Sequence, residues 1–191
     1  MSGRRPRPEP PAILTGLILL ARGRADGFAH FGASPQAFLA SLAPLVAFPL
    51  VGGLLVALGG HPAEGIVSFL ETMCVLLAQP VISEALAERW GRGEQWLRYA
   101  TAFNWCQWLI PILAGALVVL GGLLLSLGMP PDWAAPLLLA GIIFYALWLQ
   151  WFLARRGLDI SALRAVVLVL LVNLGTAALL LFPRFLAVLG R

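Results

Sequence analysis

Lysine is absent: all thirteen basic residues of this 191-residue chain are arginine. Cysteine occurs twice, as Cys74 and Cys106, and histidine twice, as His30 and His61. Charged residues of both signs make up 12% of the chain, against about 25% in a typical soluble domain. Each scarcity excludes something. Two thiols, each inside an apolar run, are not the framework of a disulfide-stapled domain; they read as small apolar side chains. His30 and His61 lie on opposite sides of the first long apolar run, so they cannot meet at one haem or one metal across a bilayer. His61 with Glu64 offers two ligands, too few for a metal centre. Paired carboxylates for hydrolysis would have to be Glu71 and Glu84, which a helix holds ~20 Å apart. No nucleophile elbow, zinc-protease helix, phosphate loop or dinucleotide fingerprint occurs. The expectation is a protein that is not an enzyme and holds no cofactor or metal.

What is abundant is hydrocarbon. Hydrophobic residues make up 60% of the chain, and the mean hydropathy is +0.90. Gathered into long runs, an excess of this size needs lipid to cover it. The formal charge of +4 does not indicate nucleic acid, because the arginines sit between the apolar runs rather than along a groove. The expected fold class is all-α: a polytopic membrane helical bundle of five transmembrane helices with a short N-terminal interfacial helix.

Residues 1–11 are basic and rich in proline, and are expected to be a disordered tail. Residues 12–33 follow as an interfacial amphipathic helix and loop. The apolar stretch 12–21 is too short to span and is flanked by Arg22 and Arg24, which suits a helix lying at the headgroups. Residues 34–191 form the five-span domain, with spans at about 36–58, 63–86, 102–127, 133–153 and 161–182. Ser34-Pro35 is a strong helix start, a hydroxyl cap followed by proline. Pro44 and Pro49 should bend the first span. Gly52, Gly53 and Ala57 offer it a face for close packing, and the turn at Gly59-Gly60-His61-Pro62 folds it back on the second span. Residues 88–98 are expected to be a charged break, with Glu88–Arg92 and Glu94–Arg98 pairing and Trp90, Trp96 and Tyr99 in an aromatic belt. Gly115 and Gly122 should mark a helix contact in the third span. Asp132 should cap the fourth span, and Pro183 should end the fifth.

The arginines give the direction. With the N-terminus in the cytoplasm, eleven of them, from Arg4 to Arg164, fall on the cytoplasmic side, and only Arg184 and Arg191 fall outside. That bias supports five spans in a bacterial inner membrane with a periplasmic C-terminus.

The polar residues inside the spans are the candidate site: Glu71, Ser68, Gln79, Asn104, Gln107 and Asn173. A carboxylate near mid-membrane costs about 2.5–3.5 kcal/mol on insertion scales, so Glu71 is expected to face the bundle interior or a wet cavity. Glu64, Ser68 and Glu71 share one helix face. Two readings stay open. Glu71 serves a proton or cation relay, as in a small coupled transporter subunit, or it is a neutral side chain bonded to Asn173 or Gln79. Gln79, Asn104 and Gln107 would lie at similar depth beneath it, as a cluster or as separate interhelical hydrogen bonds.

The five-span layout, with a cytoplasmic N-terminus and a helix leading into the first span, resembles the Yip1-like membrane proteins, and the aromatic residues around Asn104, namely Tyr99, Phe103 and Trp105, resemble an element of small bacterial inner-membrane proteins. That resemblance implies an integral membrane protein that binds partners without catalysis. The partners expected are membrane lipids, and other proteins or a second copy of the chain, but no nucleic acid.

Overall fold

A computed structural model describes residues 10–189, with no side-chain description for 10, 11, 131 or 182–189. Residues 1–9 of the expected disordered tail and the terminal Arg191 therefore lie outside the described residues, while Pro10 and Pro11, expected in that tail, open the first helix. The rest is all helical. A short helix α1 (Pro10–Ala21) and a 3-10 turn (Ala25–His30) precede α2 (Pro35–Leu58), α3 (Pro62–Arg89), α4 (Gly93–Cys106), α5 (Leu109–Ser126), α6 (Pro131–Gly157) and α7 (Ala162–Leu189). Helices α2, α3, α6 and α7, with α4 and α5 taken together, are long and apolar enough to make five membrane spans.

Local chemistry sets most boundaries. Ser34 Oγ accepts from the Ala37 amide at 3.2 Å, with Pro35 opening α2, and Ser161 caps α7 through the Arg164 amide. Proline at the start of α3 and α6 gives up a donor that has no helical partner there. Asp132 is not the cap of α6; Pro130 holds that position and Asp132 sits in the first turn, where a carboxylate still meets the positive end of the dipole. Pro183 does not end α7, which continues to Leu189. One proline removes a single intrahelical bond, a loss that a membrane helix tolerates.

The α2–α3 hairpin packs backbone to backbone. A Cβ on Gly53 would lie 2.8 Å from the Gly65 carbonyl oxygen, and one on Gly65 would meet Ala57. Gly53 and Ala57 thus provide the expected close face, whereas Gly52 points into open space. In α5 the contact falls one residue from where the glycine spacing puts it: Gly121 meets Leu138 of α6, and Gly115 and Gly122 have nothing within 4 Å.

Burial is one-sided. The core gathers at the end that carries most of the arginines, from Leu17, Leu20 and Phe28 through α4 to Leu153, Leu158 and Leu168. Toward the opposite end little is buried among the described residues: α5 buries only Gly121 and α2, beyond Ser41, only Gly53, with Gly65 of α3 and Ala134 of α6. The α1 segment belongs to the core. Leu17 and Leu20 point inward, and Tyr145 of α6 donates to the Ala21 carbonyl at 3.1 Å. Its outward residues Leu14 and Ile18 are also apolar, so the helix is not amphipathic as expected; it is hydrophobic all round.

The 88–98 segment also departs from expectation. Helix α3 stops at Arg89, and Gly91 takes a positive φ of 68°, which breaks the helical spacing between Glu88 and Arg92. Arg92 instead pairs with Asp159 at 3.5 Å. Among the described residues, Glu94 and Arg98 form no ion pair. Helix α4 starts at Gly93, nine residues before the expected span, and carries Trp96 and Tyr99 into the core rather than to an interfacial belt.

Candidate functional site

Helix α4 is the bundle's central strut. Trp96, Tyr99, Phe103 and Cys106 recur at helical spacing and are buried, and its polar atoms tie it to its neighbours. Trp96 Nε1 donates to Ser83 of α3 at 3.0 Å. Gln79 of α3 reaches the Tyr99 hydroxyl at 3.4 Å. Asn104 Nδ2 donates to Ser41 of α2 at 2.9 Å. Both serines can accept because each hydroxyl has turned its own proton back to its helix: Ser41 donates to the Phe38 carbonyl at 2.6 Å and Ser83 to the Pro80 carbonyl at 3.1 Å. A hydroxyl with its proton committed keeps lone pairs free. The result is a satisfied polar latch inside an apolar core, which fixes the register of three helices.

Beyond α4 the chain breaks at Gln107 and Trp108. Pro111 lies four residues after Gln107, so it has no amide to give the Gln107 carbonyl, and its ring crowds that oxygen. The carbonyl takes a long 3.4 Å bond from Ile110 instead. Trp108 packs on Phe48 with ring centroids 5.0 Å apart. Phe103, Cys106 and Gln107 on one side, with Leu149, Gln150 and Leu153 of α6 on the other, border a narrow cleft at the break. Its enclosed space is ≈ 20 Å³, room for roughly one water molecule. Small-molecule sites need about 300–1,000 Å³.

The expected site residues do not form one cluster. Gln79 and Asn104 belong to the latch. Gln107 is exposed at the cleft. Asn173 donates to Gln150 Oε1 at 2.8 Å and to the Val169 carbonyl, so it ties α7 to α6 and not to Glu71. Ser68 and Glu71 are exposed, and Glu71 bonds neither Asn173 nor Gln79. The expectation that Glu71 faces inward is thus corrected, and the reason lies in the geometry of α3. Its α2-facing stripe is Gly65 and Phe69, and its α4-facing stripe is Gln79 and Ser83. Glu71 shares a third stripe with Val75, Ala78 and Ile82, spaced by four, three and four residues. That stripe turns toward α7, which it meets at Ile82, where a Cβ on Gly175 would lie 2.7 Å away. Glu64 is occupied by His61, at 3.3 Å.

Sequence reasoning missed Ser41, Ser83 and Gln150 as partners. The usable signal was the amphipathic face of 93–106, hidden by reading 88–98 as a charged break between spans. Among the described residues, no group of three or more His, Cys, Asp or Glu side chains could hold a metal ion. No protein-family model, curated protein or solved structure matches the chain. The resemblance to Yip1-like proteins therefore rests on the arrangement of spans alone.

Proposed function

We propose that this multi-pass membrane protein acts without catalysis, through contacts between its bare helix faces and other membrane proteins, with lipid filling what they leave open. One observation carries the reading: the latched core fills one end of the bundle, while α5 buries a single residue and Gly115, Gly122 and Gly141 have nothing within 4 Å. In a bilayer, helices associate by close packing at small residues and by interhelical hydrogen bonds. A packed core at one end with bare helix faces beyond it suits holding a partner better than enclosing a substrate.

The arginine bias further supports a bacterial inner membrane, with a cytoplasmic N-terminus and a periplasmic C-terminus. A relay centred on Glu71 finds less support. Gln79 and Asn104 are already satisfied in the latch, and the one cleft described beside a candidate residue is sized for about a single water molecule.

The test is a photoreactive residue at Val118 or Val119 of α5, which are 74% and 75% exposed, activated in native membranes. The expected result is a cross-link to a polypeptide of discrete mass that is lost with Gly122→Leu. Lipid adducts alone would contradict the reading.

A further inference from the structure

Two guanidinium groups stand over indole rings at the first turn of α7. Arg155, near the end of α6, lies 5.2 Å from the centre of the Trp151 ring, and Arg164 of α7 lies 5.8 Å from that of Trp90. We infer that this turn binds the headgroup of an anionic phospholipid, with Arg155 and Arg164 taking phosphate oxygens and the acyl chains lying on the apolar stripes beneath them. The inference goes beyond the helix-contact reading above and does not depend on it.

Both rings are anchored. Trp151 Nε1 donates to the Ala162 carbonyl of α7 at 3.2 Å. Trp90 closes α3, its amide on the Leu86 carbonyl at 3.0 Å. The face of an indole attracts a cation. Stacking occupies one face of the planar guanidinium and leaves its N–H edge free to donate in pairs to a phosphate. Asp159, the carboxylate of the α6–α7 turn, is held by Arg92 at 3.5 Å. Among the described residues neither Arg155 nor Arg164 forms an ion pair. Residues 1–9 contain a single carboxylate, Glu9, which cannot neutralise both.

A free phosphate, an acidic protein segment and a lipid headgroup compete for these cations, and the surroundings select the lipid. Arg164 shares a helical stripe with Val167 and Leu171, both exposed. Leu163, beside it in the chain, is 73% exposed. Deeper than Arg155, its stripe continues through Trp151 and Trp148 to the exposed Phe144. Helices α6 and α7 are both long and apolar enough to span a membrane, so these stripes face hydrocarbon. Each stripe is a cation above apolar side chains, the complement of a phosphate above an acyl chain. A free phosphate would use only the top of it, and a hydrophilic acidic segment would leave Leu163, Val167 and Leu171 uncovered. Indole rings at this level also suit the headgroup layer. A choline headgroup carries a cation of its own toward the guanidiniums, so a headgroup of net negative charge is preferred.

The test uses the full chain in neutral detergent micelles, titrated with phosphatidylglycerol or phosphatidylcholine bearing the same pyrene-labelled acyl chain. Energy transfer from the tryptophans to pyrene reads binding. Phosphatidylglycerol is expected to bind about tenfold more tightly. Arg155→Gln with Arg164→Gln should erase that preference. Arg98→Gln removes the same kind of charge from an exposed site on α4 that stands over no ring among the described residues, and should leave the preference intact. Arg155→Lys with Arg164→Lys keeps the charge but loses the planar stack and the paired donors, and should lose most of the preference. Equal binding of the two lipids to the parent chain, a comparison that needs no variant, overturns the inference. So does a loss with Arg98→Gln as large as that with the double glutamine variant, which would reduce the site to net charge. Full retention in the double lysine variant overturns the stacked pair. Displacement of phosphatidylglycerol by excess glycerol phosphate overturns the inference in favour of a soluble anion. None of these failures would remove the α5 cross-link, so the two readings fail separately.

Discussion

Asn104 of α4 donates a 2.9 Å hydrogen bond to Ser41 of α2, sixty-three residues earlier in the chain. Both are buried, and the bond closes the arginine-rich end of the bundle between its first span and its third. Hydrogen bonds of this kind in membrane bundles contribute about 0.6 kcal/mol on average and up to about 1.7. This one lies at the upper end of the expectation, because Ser41 has already committed its proton to Phe38 and so presents a fixed acceptor. A double-mutant cycle of Asn104→Ala and Ser41→Ala, followed by reversible unfolding in mixed micelles, should give a coupling of about 1 kcal/mol or more. Strict additivity would remove the bond from the account.

The hairpin glycines make a sharper contrast. Gly65→Ala places a methyl against the backbone of α2, where neither helix can yield by a side-chain rotation. It should cost about 1–3 kcal/mol. Gly52→Ala, on the neighbouring helix but facing open space, should be neutral or slightly stabilising, since alanine is the better helix former. Thermal unfolding of the two variants in one detergent checks the order, and equal losses would place the hairpin contact elsewhere.

Pro111→Ala returns an amide to the Gln107 carbonyl and removes the ring that crowds it. The α4–α5 break should straighten, and the amide at position 111 should become protected from hydrogen exchange. A pair of spin labels replacing Arg98 and Leu127 should move apart relative to the parent chain. An unchanged distance would mean that the packing of Trp108 on Phe48, rather than the proline, sets the break.

The Arg24 side chain hydrogen-bonds Asp26 and holds its carboxyl below the ordinary value of 3.8. The sign follows from the depressed value. Whatever the pair contributes is present above about pH 4 and is lost as pH falls through the lowered pKa. The carboxyl resonance of Asp26 should titrate below its ordinary midpoint in the parent chain and return to it in Arg24→Gln. Identical midpoints in the two would leave the pair without effect.

The sequence revealed the spans because a bilayer demands about twenty apolar residues at a stretch, and only five places supply them. It also revealed the Ser34-Pro35 start and the close face at Gly53 and Ala57, since capping and backbone approach depend on a few neighbouring residues. The latch was legible only in part: Gln79 and Asn104 stand out as polar residues inside apolar runs, but their partners do not. Trp96 and Tyr99 stand among Glu88, Arg92, Glu94 and Arg98, a setting that looks interfacial until the start of α4 at Gly93 shows which side chains turn inward. Nor does spacing disclose which of two adjacent glycines, Gly121 or Gly122, meets α6; that depends on a rotation set by contacts elsewhere. The outward position of Glu71 was hidden for the same reason. Its helix has three partners, and the sequence did not rank their claims on its faces.

The central claim is that five spans carry the connecting arginines to one side of the membrane. Single cysteines at His61, Glu88, Leu127 and Arg156, in a chain lacking Cys74 and Cys106, can be probed in sealed, oriented vesicles with a maleimide that cannot cross lipid. Positions 61 and 127 should label from one side, and positions 88 and 156 only from the other. Labelling of all four from the same side would contradict the account.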